Sequence, residues 1–104
     1  DFNVAPDSVE FVPMLQCLAA APPRLLNREV PSFDSRNNAM ARGPREHLDY
    51  VLWSQRHGVP VQANNQTLRP VVAPWSQRPF YRGCTELSDH YPVLAEFELR
   101  RPSC

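Results

Sequence analysis

Apolar residues recur at helical intervals near the start of the chain. In PDSVEFVPMLQCLAAAPP, Phe11, Leu15 and Leu18 stand at i, i+4 and i+7 with Met14 beside them, which predicts one helix with an apolar stripe. Asp7 or Ser8 is placed to cap its start, Pro13 falls in a first turn or marks a kink, and Pro22 and Pro23 end it. Ahead of the helix, DFNV opens the chain in the manner of a short strand cut at its exit. From Arg24 to Arg45 the periodicity disappears, and SFDSRNNAMARGP is rich in turn formers, so this stretch reads as a long loop.

Three strand patterns follow. In HLDYVLWS, Leu48, Tyr50 and Leu52 alternate with Asp49, Val51 and Trp53, a pattern suited to burial on both faces. A second strand region spans Gln62 to Val72, broken at ANN. The closing YPVLAEFELR sets Val93, Ala95, Phe97 and Leu99 against Leu94, Glu96, Glu98 and Arg100. A short strand, a helix, a long loop and three strands make an α/β or α+β unit.

Composition narrows the picture. At 104 residues the chain is at most one domain with a modest core. Eleven basic residues balance eleven acidic ones, so no global field draws it to nucleic acid or an anionic membrane. The bases are all Arg, which suits bidentate contacts with phosphate or carboxylate; codon bias is the plain alternative. Twelve Pro against three Gly indicate ordered connections between short elements. Nothing has the apolar run of a membrane-spanning helix or the form of a secretion signal. Cys17, Cys84 and Cys104 share no metal-ligand spacing, and one disulfide with a spare thiol or three free thiols are equally open.

The candidate chemistry lies at two places. Asp89 and His90 adjoin in LSDHYPV, at a strand entrance where both can serve one site, and a His beside a carboxylate can act as a general base; a satisfied structural histidine is the plainer reading. Asp1 and Asn3, spaced i, i+2, share a face if their segment is a strand, where an acid and an amide can hold a hard cation and a phosphoryl oxygen; a turn closed by an Asx bond explains them equally well. Further along, Phe80 and Tyr81 follow Pro79 between Arg78 and Arg82. They read either as an aromatic tip for a lipid interface or as a core pair at a loop base.

DFN before a helix, SFD with Asn38 after it, HLDYVL and LSDHYPVLAEF, in that order, resemble the C-terminal half of the endonuclease/exonuclease/phosphatase superfamily of metal-dependent phosphodiesterases. Within it, SVEFVPMLQCL, SFDSRNNAMA, EHLDYVLWS and the APWS ahead of SDHYPV are similar to bacterial-type neutral sphingomyelinases. The resemblance implies the C-terminal half of a deoxyribonuclease-like four-layer β-sandwich flanked by helices. It also implies hydrolysis of sphingomyelin to ceramide and phosphocholine. In that reading residue 1 is an interior point of a larger domain, and a metal-binding Glu, a further Asn and a second His lie in an N-terminal half absent from this chain, which alone should be nearly inactive.

The same resemblance implies His90 as the base that activates water, Asp89 as its orienter or an aid to the metal, and Asp1 and Asn3 at metal and phosphate. The metal set is then Asp1, Asn3 and His90, for Mg²⁺ or another divalent cation such as Mn²⁺ or Co²⁺. Asp34, Asn38 and Asp49 match supporting positions, and Phe80 and Tyr81 match a membrane-entering tip, with Trp75 in the same contact region but packed rather than inserted. A choline phospholipid at a membrane surface becomes the partner, nucleic acid is disfavoured, and secretion follows from the family. A nuclease or inositol-phosphate phosphatase of the same superfamily, or a noncatalytic binding module, is the alternative.

Overall fold

The computed structural model describes residues 1–75, 77 and 83–102. One helix, α1 (Phe11–Leu18), precedes three strands, β1 (Arg24–Leu26), β2 (Gln62–Thr67) and β3 (Val93–Glu98). They form a mixed sheet in the order β1-β2-β3, parallel between β1 and β2 and antiparallel between β2 and β3. The class is α/β, as expected.

The helix begins later than the capping reading placed it. Glu10 is the N-cap and makes no side-chain cap bond. Ser8 instead donates its hydroxyl to the Glu10 carboxylate and accepts the Glu10 amide at 3.2 Å, closing the turn before the helix. Pro13 sits in the first turn, where its missing N–H is no loss. Of the predicted stripe only Leu15 is buried; Phe11 packs its ring at 5.6 Å from Tyr50 and Leu18 is exposed. The helix stops before the prolines, because Ala19 turns left-handed (φ 49°) and its amide reaches back to the Gln16 carbonyl at 3.1 Å.

Three strand expectations are corrected. DFNV is not a strand: Asn3 has φ +52°, and its amide donates to Asp1 Oδ1 at 2.8 Å, an Asx turn. Arg24–Leu26, placed in the loop, pairs with Asn64–Gln66, and ANN, placed as a break, forms the middle of β2. The reason is local. Sandwiched between β1 and β3, the amide-rich run has its backbone satisfied on both edges, and this overrides poor strand propensity.

Among the described residues HLDYVLWS joins no ladder beyond isolated bridges at its ends, Phe33 with Glu46 and Ala20 with Ser54. A side chain replaces the missing strand partner. Buried Asn65 accepts the Val51 amide through Oδ1 at 2.8 Å and donates Nδ2 to the Val51 carbonyl at 3.1 Å, so one amide imitates the edge of a strand. Tyr50, also buried, hydrogen-bonds the Val4 carbonyl at 2.8 Å and packs near Phe2, and the Phe2 amide donates to the Leu48 carbonyl at 2.9 Å. These contacts fasten the opening residues alongside Leu48 and Asp49. Among the described residues the buried set includes Leu15, Ala41, Leu48, Tyr50, Cys84 and Tyr91 with Ser32, Asp34, Asn38 and Asn65. Cys17 and Cys84 carry free thiols, and Cys104 lies outside the described residues.

Candidate active site

The loop from Ser32 to Arg45 is built on one carboxylate. Asp34, 1% exposed, accepts Arg45 Nε at 2.6 Å and Nη2 at 3.1 Å, Asn37 Nδ2 at 2.8 Å and the Arg36 amide at 3.1 Å. The Arg45 guanidinium, more than the Asn37 and Arg36 bonds, holds its carboxyl well below the usual carboxylate range. Its folded value lies below its unfolded value. The resulting stability is therefore present near neutrality and is lost as the pH falls below about 4. Asp34→Asn should be about 2–3 kcal/mol less stable than the parent at pH 7, and the gap should shrink steadily toward pH 2 in urea titrations followed by circular dichroism. A gap that does not change with pH would show that Asp34 is not ionised in this role.

This loop positions the strand entrance. Asn38, 1% exposed, donates Nδ2 to the Ser88 carbonyl at 2.8 Å. Phe33 bridges antiparallel to Glu46 on one side and to His90 on the other, and its ring lies 5.1 Å from the imidazole. The segment after Pro31 thus runs between the Glu46–Asp49 stretch and the Asp89–Tyr91 stretch. It brings together residues that are 41 positions apart in sequence.

Where they meet, His90 Nδ1 lies 2.8 Å from Asp49 Oδ2, and Nε2 faces Asp1 Oδ2 at 3.7 Å. The imidazole therefore stands between two carboxylates. Asp49 is the inner one: burial pushes its carboxyl up, but bonding from Ser32 and the nearby imidazole together outweigh that and leave it below the usual range. An ionised Asp49 can only accept a hydrogen bond, which matches the tautomer of a neutral imidazole that carries its proton on Nδ1 and keeps a lone pair on Nε2. A cavity of about 150 Å³ opens beside His90, lined also by Pro70, Glu86, Leu87, Ser88, Tyr91 and Pro92. Two larger cavities, about 490 and 440 Å³, lie against Pro6 and Arg28 and are lined by none of Asp1, Asp49 or His90.

The geometry redistributes the expected roles. Asp49, expected only to support, makes the contact with the imidazole that was expected of Asp89. Asp89 is exposed and has its side chain 3.5 Å from Ser88 Oγ. Asp1 and Asn3 sit together at the site edge, both exposed. Asp34 and Asn38 are buried supports. Trp75 is half exposed, with its indole N–H bonded to the Glu86 carbonyl at 2.6 Å. Phe80 and Tyr81 lie outside the described residues.

Sequence reasoning did not single out Ser32. Its only sequence signal is that it is the first residue of SFD.

Oxygens of Asp1 and Asp49 and a ring nitrogen of His90 lie within 4.8 Å of one another. Two carboxylates and an imidazole suit a divalent cation of the Mg²⁺, Mn²⁺ or Co²⁺ kind. Asn3 stands two residues from Asp1 and is available as a neutral oxygen donor. His90 has one ring nitrogen that Asp49 does not engage, which can be ligand or base but not both at once, and the Asp49 contact suits either.

Residues 1–90 match the model of the Endonuclease/Exonuclease/phosphatase family. The chain is 29% identical over 98 residues to sphingomyelinase C of Bacillus cereus, covering 88% of this chain and 29% of that protein. It is 30% identical over 102 residues to phospholipase C of Staphylococcus aureus, covering 91% of this chain and 31% of that protein. Among solved structures, sphingomyelinase C from Streptomyces griseocarneus superimposes with a TM-score of 0.76 at 33% identity, over 92% of this chain and 35% of that one. Beta toxin from Staphylococcus aureus gives 0.78 at 29% identity, over 90% and 34%. The chain spans about a third of the length of the relatives it matches.

Proposed function

The chain belongs to the endonuclease/exonuclease/phosphatase family, and on that footing we propose that its protein hydrolyses sphingomyelin to ceramide and phosphocholine with His90 as general base. The observation that carries this reading is the imidazole held between Asp49 on Nδ1 and Asp1 across Nε2. The names of the relatives, sphingomyelinase C and phospholipase C, supply the substrate class.

With Nδ1–H donated to Asp49, Nε2 accepts a proton from water as the water oxygen bonds to phosphorus. The bond from phosphorus to the ceramide oxygen breaks in line, the departing alkoxide takes up a proton from solvent water, and His90 returns its proton to solvent. Asp49 holds the tautomer and balances the imidazolium that forms. Asp1 and Asn3 would hold a divalent cation, which when bound offsets charge on the phosphoryl oxygens. Residues 1–104 are read as the C-terminal half of one domain whose other half completes the site; the one-third coverage of the relatives supports a longer protein. Phe80 and Tyr81, with Trp75 a few positions earlier in the sequence, are read as the lipid contact. Secretion belongs to the same reading, supported by a structural relative named as a toxin.

The test compares vesicle sphingomyelin, duplex DNA and an inositol phosphate as substrates for the longest natural form of the protein with Mg²⁺. Phosphocholine release well above cleavage of the other two is the expected result. Preference for DNA or the inositol phosphate would replace the substrate assignment, and a folded protein inactive on all three would leave a noncatalytic module.

In the active protein, Asp49→Asn should lower kcat by about 10²-fold, the loss of one charged hydrogen bond to the base. Asp89→Asn should leave the imidazole tautomer, read by ¹⁵N NMR, unchanged. Equal tautomer shifts in both would return the orienting role to Asp89.

A further inference from the structure

We propose that Ser32 is a positioning residue that sets the gap between Asp49 and His90. This rests on the catalytic reading of His90, but its geometric part stands without it. Ser32 is 0% exposed. Its Oγ accepts two backbone amides, Leu48 at 3.0 Å and Asp49 at 3.2 Å. Its own carbonyl accepts the Tyr91 amide at 2.7 Å. One residue therefore grips the segment carrying Asp49 with its side chain and the segment carrying His90 with its backbone.

Few other contacts compete for this task. Leu48 to Trp53 joins no sheet ladder, so the amides of Leu48 and Asp49 meet a hydroxyl where a strand would offer carbonyls. The next restraints along that segment lie beyond the carboxylate, Tyr50 through its hydroxyl on the Val4 carbonyl and Asn65 at Val51. Upstream, Glu46 pairs with Phe33. Between those holds, the Leu48–Asp49 backbone is tied by the Ser32 hydroxyl on both amides, together with the Phe2 amide on the Leu48 carbonyl. A hydroxyl has two acceptor lone pairs, and both face donors here; bonding from Ser32 is also among the causes that hold the Asp49 carboxyl below its ordinary range. Two amides left without an acceptor in a buried place would pull away toward water. A displacement of about 1 Å at the orienting carboxylate is enough to cost a reaction about 10²-fold.

The experiment uses the longest natural form of the protein and reads two quantities. The first is the downfield imidazole Nδ1–H resonance of His90, identified by its disappearance in His90→Gln; the second is kcat and KM for phosphocholine release. Ser32→Ala should shift or broaden that resonance and lower kcat by about 10–10²-fold with KM nearly unchanged, whereas Ser32→Thr, which keeps the hydroxyl, should retain both. If Ser32→Ala does not fold, Ser32→Cys, close in size and a weak acceptor, carries the same expectation.

A folded Ala or Cys variant with parental resonance and kcat, merely lowered in Tm, overturns the proposal, as does a Thr variant that fails to restore both readouts. A moved resonance in a protein inactive on every phosphoester tested upholds the positioning role and overturns the proposed function instead.

Discussion

His90→Ala should lower kcat for phosphocholine release by about 10³–10⁴-fold in a protein that keeps its fold, the upper part of the range for a positioned general base. The imidazole offers one face to solvent and makes its contacts through the ring: Nδ1 to Asp49, Nε2 toward Asp1, and one side against Phe33. Its backbone amide is held by Ser88 Oγ at 3.1 Å and its neighbour Tyr91 by Ser32, and neither bond involves the side chain. Truncation should therefore remove the base and leave the strand entrance in place. His90→Gln separates the contributions further, since it retains a hydrogen-bonding group for Asp49 but cannot take a proton near neutrality. Both variants should be inactive with circular dichroism spectra like the parent. An alanine variant within tenfold of the parent would show that another group takes the proton.

Removing divalent cations should be as damaging, lowering hydrolysis by about 10³-fold or more, with activity regained on adding Mg²⁺, Mn²⁺ or Co²⁺. The argument begins with charge. Asp1 and Asp49 present oxygens within 4.8 Å of each other around one imidazole, a density of negative charge that a cation relieves. Asp1 is the outer and more exposed member, and Asn3 beside it adds an uncharged donor. A second readout is independent of turnover. Cation binding to the folded form alone should raise Tm in proportion to the logarithm of its concentration, and Asp1→Asn should weaken that rise. Full activity in excess chelator would remove the cation from the mechanism. A Tm response unchanged in Asp1→Asn would move it to other residues.

The family was legible because its motifs survive in order along nearly the whole chain, and so was the α/β class, since helix period and strand alternation occupy separate stretches. β3 was the easiest element: its alternation is strong, and Val93–Glu98 falls inside the expected run. β1 and the middle of β2 were illegible for one shared reason. Arg24–Leu26 is too short to show a period, and Ala63–Asn64–Asn65 has the composition of a turn, so their pairing exists only when the two are side by side.

The strand pattern of HLDYVLWS held on one face only, with Leu48 and Tyr50 buried but Val51 exposed, and not in its pairing. Alternation reports which faces are covered and says nothing of what meets the backbone. At the site, Asp89 and His90 are adjacent, and adjacency drew the orienting role to Asp89. Asp49 lies 41 residues away and was brought to the imidazole by the Ser32–Phe33 segment, a contact with no signature in spacing.

The hold of Asn65 on Val51 bears on how such a site can change over generations. A strand paired by a ladder is secured several times over, and most single replacements along it leave the pairing intact. The stretch carrying Asp49 is tied on that side by one amide group, whose two bonds depend on a particular side chain. Even aspartate, one atom different, has no proton to offer the Val51 carbonyl. Drift at this position should be narrow while β2 around it varies freely, so that a position remote from the chemistry is kept as strictly as the residues that perform it.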